Sequence, residues 1–94
     1  MALQSMKAFE RRWAIMRRLA SAQLRDFEKD RKAIAKSIRG YRLKKDLRAA
    51  REAVLHSKRV ERAISETRKF VATRDRLVAD ARRRSRLIKQ AFSR

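Results

Sequence analysis

Between Met6 and Tyr41 apolar side chains return every three or four residues, at Met6, Phe9, Trp13, Met16, Ala20, Leu24, Phe27, Ile34, Ile38 and Tyr41. An α-helix needs that rhythm to gather its apolar side chains on one face. The face turned away carries Arg11, Arg18, Arg25, Lys29, Lys32 and Lys36. Residues 1–39 are therefore expected to form one amphipathic helix with an aromatic stripe.

A second stripe runs through Ala50, Ala53, Ser57, Val60, Ile64, Thr67, Val71, Arg74, Val78, Ala81, Ser85, Ile88 and Phe92, with Leu47, Val54, Phe70 and Leu77 widening one flank. The spacing is again a regular three–four heptad, but the residues are small or polar. A leucine-zipper dimer wants large apolar side chains at such positions. The seam suits close approach by another helix or a protein surface better than it suits a free coiled coil. Residues 41–94 are expected to form this second, basic helix, ending in an Arg-rich segment.

Gly40 is the only glycine and there is no proline. The run Lys36-Ser37-Ile38-Arg39-Gly40 has cations in the final turn and glycine just past it, as a helix end does. The expected fold is all-α: two long amphipathic helices, a hairpin or bent pair with a possible break at Gly40, extended rather than globular. The other reading is a single rod with Gly40 tolerated inside it, at a cost of about 1 kcal/mol against alanine.

Charge narrows the function. The 94 residues carry 29 Lys and Arg against 10 Asp and Glu, a formal net charge of +19. Such a chain repels itself and seeks anions. Arginine outnumbers lysine 20 to 9, and guanidinium grips phosphate bidentately and stacks on bases where ammonium does not. No acid follows Asp80, and Arg82, Arg83, Arg84, Arg86, Lys89 and Arg94 do. Arg82, Arg83, Arg84, Arg86 and Lys89, together with Arg42, Lys44 and Lys45, are the candidate nucleic-acid-binding residues. Phe9, Trp13, Met16 and Phe27 are the candidate anchors for a protein contact. Glu28 with Lys32, Asp26 with Lys29, and Glu66 with Lys69 or Arg62 stand at the spacing of surface ion pairs.

The sequence offers no ground for catalysis. There is no cysteine, and His56 is the lone histidine. No Gly-rich loop or nucleophile with a base nearby is present, so no catalytic, cofactor or metal residues are expected, nor a small-molecule substrate. No apolar run approaches the ~20 residues of a membrane span. Residues 1–25 hold six basic residues and one acid, Glu10, and Arg17-Arg18-Leu19-Ala20-Ser21 has the look of a processing site, as in a mitochondrial transit segment.

Basic-zipper factors are excluded by the Ala, Ser and Thr of the seam. In composition the chain resembles small helical ribosomal proteins. The expectation is a structural subunit of a ribosome, most plainly a mitochondrial one in the matrix. It would neutralise rRNA phosphates and dock on neighbouring proteins of the assembly. The alternative expectation is an accessory helical subunit of a mitochondrial respiratory or ATP synthase complex, meeting acidic subunits and anionic lipid.

Overall fold

The computed structural model describes residues 2–93, with side chains from Met6 onward. Two helices account for nearly all of it: α1, Ala2–Leu43, and α2, Leu47–Phe92. At 1.5 Å per residue they are about 63 and 69 Å long, and the molecule measures 74 × 16 × 14 Å. One helix length therefore spans the whole, and the helices fold back on each other as a hairpin. The radius of gyration is 21.1 Å, against about 12 Å for a compact chain of this size. The expected extended, all-α pair is what forms.

The turn falls a few residues beyond Gly40. α1 runs through Gly40 to Leu43, and the connection is Lys44, Lys45 and Asp46. Asp46 N–H donates to the Tyr41 carbonyl at 2.9 Å and Lys45 N–H to the Arg42 carbonyl at 3.1 Å. These two bonds make a Schellman cap, which wants a left-handed residue just past the helix. Lys45 supplies it at φ 58°, where glycine is usual. Asp46 then caps α2, its carboxylate accepting from the Ala49 N–H at 3.1 Å. One three-residue turn thus closes one helix and opens the next.

Glycine and lysine stand in each other's natural places here. Gly40 has no positive φ, and a Cβ built on it meets nothing within 4 Å. Gly40→Ala is expected to stabilise the hairpin by about 0.5–1 kcal/mol, the helix-interior cost of glycine. Lys45→Gly is expected to gain about as much by relieving the left-handed strain, part of it offset by entropy in the unfolded chain. In thermal unfolding followed by circular dichroism each raises Tm by about 2–8 °C. A lower Tm for Gly40→Ala would place Gly40 in the turn after all.

From Ala50 to Ser85 the α2 stripe read from the sequence is the face that meets α1, whereas Ile88 and Phe92 at its end are exposed. Ala50, Val60, Ile64 and Val78 are buried, and Ala53, Ser57, Thr67, Val71, Arg74, Ala81 and Ser85 are partly so. On α1, Trp13 is buried, and Met6, Ala20, Leu24, Phe27, Ile34 and Ile38 are half-buried. The register set by Glu10 with Arg82 and Arg17 with Asp75, carried along two antiparallel helices, brings Ile34 and Ile38 level with the small Ser57 and Ala53. Small side chains let the helices approach closely, and the large partners fill the space between. The Thr67 hydroxyl is satisfied within its own helix, donating to the Ala63 carbonyl at 2.7 Å.

The seam is nevertheless thin. The accessible surface is 8522 Å², whereas a globular monomer of this mass exposes about 5,700 Å². Much of the apolar complement stays at the surface.

Candidate nucleic-acid interface

A helix in a pair has two flanks beside its buried seam. The hairpin's two long edges are built from these flanks, and they differ sharply. Along one edge α1 presents Arg11, Arg18, Arg25, Lys32 and Arg39, an unbroken series at seven-residue intervals. Beside them lie Lys7, Arg17, Arg31 and Arg42, with Glu10 and Glu28. α2 contributes Arg51, Lys58, Arg68, Arg82, Arg86 and Lys89, with Glu61 and Asp75. This basic edge holds fifteen cations against four acids, a net +11.

Three of those acids also fix the register of the pair. Arg82 Nε donates to Glu10 at 2.9 Å, Arg17 Nε to Asp75 at 3.1 Å, and Arg68 to Glu28 at 3.1 Å. Glu28 holds Arg31 as well, at 2.7 Å, and not the Lys32 that the spacing offered. These pairs are solvent-facing, so each contributes at most about 1 kcal/mol. They orient more than they stabilise, and cations outnumber acids along the edge even after pairing.

Asp75 has a second partner. Trp13 Nε1 donates to it at 2.9 Å. The Trp13 hydrogen bond, then that from Arg17, holds the Asp75 carboxyl below its ordinary 3.8. A carboxylate depressed in the fold stabilises above its unfolded-state value, and the contribution is lost as pH falls through the lower, folded value. Between pH 6 and pH 3 the native hairpin is therefore expected to lose more Tm than Asp75→Asn does. Equal losses in the two proteins would show that Asp75 carries no pH-dependent share.

The candidate residues do not form one site. Arg42, Lys44 and Lys45 sit at the turn, while Arg82, Arg83, Arg84, Arg86 and Lys89 lie near the opposite end of a 74 Å rod. Within the second group helical geometry scatters the side chains. Arg82, Arg86 and Lys89 line a groove with Lys7 and Glu10 on the basic edge. Arg84 lines another, with Leu77 and Ile88, on the opposite edge, and Arg83 lies on the outer surface of α2. α1 occupies one side of α2 here, so no groove of a partner surrounds the cluster.

The candidate anchors divide as well. Trp13 is 6% exposed, and its ring meets Phe70 edge-on with centroids 5.8 Å apart. Trp13 and Phe27 face α2, and the aromatic stripe docks first on the chain's own second helix. Phe9 and Met16 stay on the rim, at the edge away from the cations. The sequence reading put Arg11, Arg18, Arg25 and Lys32 on one cationic helix face together with Lys29 and Lys36; it did not single out Arg39, and which of these cations joined the edge was set only by the pairing of the helices.

The fold and its charge define a class: an extended helical hairpin with one polycationic edge. No protein-family model matches the chain, and no curated protein and no solved structure matches it.

Proposed function

We propose that this hairpin is a structural RNA-binding subunit of a large ribonucleoprotein, with a ribosome as the assembly. The observation that carries the reading is the +11 edge. Its five regularly spaced α1 cations cover about 42 Å, at about 10.5 Å per seven-residue step. A straight cationic line of that length suits a phosphate backbone better than a single anionic group. Counterion release along it supplies the affinity.

The ligand is structured RNA and not an unpaired strand. Proteins that hold single strands offer aromatic faces for stacking. Trp13 and Phe27 are turned toward α2, Phe9 and Phe70 lie on the opposite edge, and the basic edge has no aromatic along its cationic line. Recognition is then by backbone geometry, as for double-stranded RNA. Mitochondrial residence is proposed with the N-terminal segment kept as structure. Removal near Ala20–Ser21 would take away Trp13 and Glu10 and both of their cross-helix bonds.

Titration of the full chain with a fluorescent RNA duplex, an unpaired RNA, a DNA duplex and cardiolipin-containing vesicles, each at several salt concentrations, tests the proposal. Tightest binding to the RNA duplex, with a steep salt slope, is the expected result. Preference for the DNA duplex or the vesicles would replace this reading with DNA compaction or with the membrane-complex subunit.

A further inference from the structure

The second long edge is the opposite of the first. Its charged residues are Arg12, Asp26 and Asp30 on α1, and Glu52, Arg59, Glu66, Arg74, Asp80 and Arg84 on α2: four cations, five acids, net −1. Between them lie large apolar side chains that the hairpin leaves open. Leu19 is 66% exposed, Leu77 50%, Met16 49% and Phe70 40%. Met16, Leu19, Ala20, Gln23, Thr67 and Phe70 line a groove between the helices midway along this edge. The Arg74 guanidinium lies over Phe70, 5.4 Å from its centroid.

We infer that this edge is the interface with a second copy of the chain, joined antiparallel into a four-helix bundle about a two-fold axis near Phe70 and Gln23. Three observations select that occupant. First, a chain of +19 could not approach its twin across the basic edge, but across an edge near neutrality it meets no such barrier. Second, the charges are segregated along the rod. Arg12, Arg74 and Arg84 lie in the half nearer the chain ends, and Asp26, Asp30, Glu52 and Glu66 in the half nearer the turn, with Asp80 and Arg59 the exceptions. A two-fold interface must be complementary to itself. Turning this edge end over end sets α1 against the second copy's α1 and α2 against its α2, bringing Arg12 toward the second copy's Asp30, Arg74 toward its Glu66, Phe70 onto its Phe70 and Leu19 toward its Gln23. Third, the size fits. An edge 74 Å long and 14 Å or more wide covers about 1,000 Å², and a standard interface needs roughly 800 Å² per partner.

Both basic edges then lie on the outside of the bundle. The association itself does not depend on the RNA reading, because it is measured without nucleic acid. In sedimentation equilibrium the native chain is expected at twice its 11.2 kDa. Leu19→Glu is expected at the single mass with unchanged helical circular dichroism. Leu19 touches the surface only, so the variant keeps its fold. Arg12→Asp is expected to weaken the dimer and Arg12→Asp with Asp30→Arg to restore it. The chain lacks cysteine, so Ser37→Cys admits a single spin label. Antiparallel pairing separates the two labels by about 50 Å, whereas parallel pairing brings them to within about 20 Å. A native monomer up to about 100 µM, or a Leu19→Glu dimer as tight as the native one, overturns the interface and leaves the edge to a different protein. A short label distance, or a charge swap that fails to restore, overturns the antiparallel arrangement.

Discussion

Changing Arg11, Arg18, Arg25, Lys32 and Arg39 together to glutamine is expected to flatten the salt dependence of RNA binding by about 4 units of log K per log salt, at 0.7–0.9 per lost phosphate contact. Affinity near 0.1 M salt falls by about 10³–10⁴ on the same footing. Glutamine keeps the helix propensity of arginine and lysine, and none of the five takes part in the cross-helix ion pairs. The hairpin is therefore expected to keep its circular dichroism and Tm, and loss of binding reads charge and not folding. The informative control is an equal number of cations on the outer surface: Lys29, Lys36, Arg62, Lys69 and Arg76 to glutamine. Five charges are removed either way, so a uniform polycation would respond equally. An equal loss in the control would show that the phosphates do not follow one edge.

Trp13→Ala is expected to have the largest effect on stability, about 3–5 kcal/mol. Trp13 is the bulkiest buried side chain of the seam, against Ala50, Val60, Ile64 and Val78. Its removal opens a space that two stiff helices close poorly, strips Phe70 of its edge-on partner, and leaves Asp75 with Arg17 alone. A domain of this size shifts about 4–8 °C per kcal/mol, so a fall in Tm of at least about 12 °C is expected. Trp13→Phe keeps most of the volume but not the N–H donor, and is expected to recover more than half of the loss. If Trp13→Ala melted within a few degrees of the native chain, the α1–α2 seam would not be where the fold is held.

The helices were legible because both stripes keep a three–four rhythm over more than thirty residues, and nothing competes with it. The small side chains of the α2 stripe were legible too as a surface for close approach, and that surface turned out to belong to α1. The turn was displaced. A glycine beside cations reads as a helix end, yet Lys45 takes the left-handed position and Asp46 the cap, a combination that local sequence does not advertise. The basic edge was least legible. Arg82–Arg86 are neighbours in sequence, and successive residues of a helix point about 100° apart, so sequence density does not become surface density. The reverse holds for Arg11, Arg18, Arg25, Lys32 and Arg39. They are dispersed along the chain and form a line only when seven-residue spacing is combined with knowledge of which flank adjoins α2's cations.

The three-residue turn fixes how the hairpin comes apart under load. The end of the rod away from Lys44–Asp46 gathers the start of α1 and the close of α2, so tension applied between them peels one helix from the other pair by pair. A pair of helices loaded in that geometry yields at low force, since one layer of contacts breaks at a time. Glu10 with Arg82 parts first, and Trp13 and Arg17 on Asp75 form the next clasp. Contacts nearer the turn feel nothing until those have opened. A rod fixed along its whole length by a bound partner would instead have to shear every layer at once. In an optical trap the free hairpin is thus the weak spring, and a ligand running along its edge is what stiffens it.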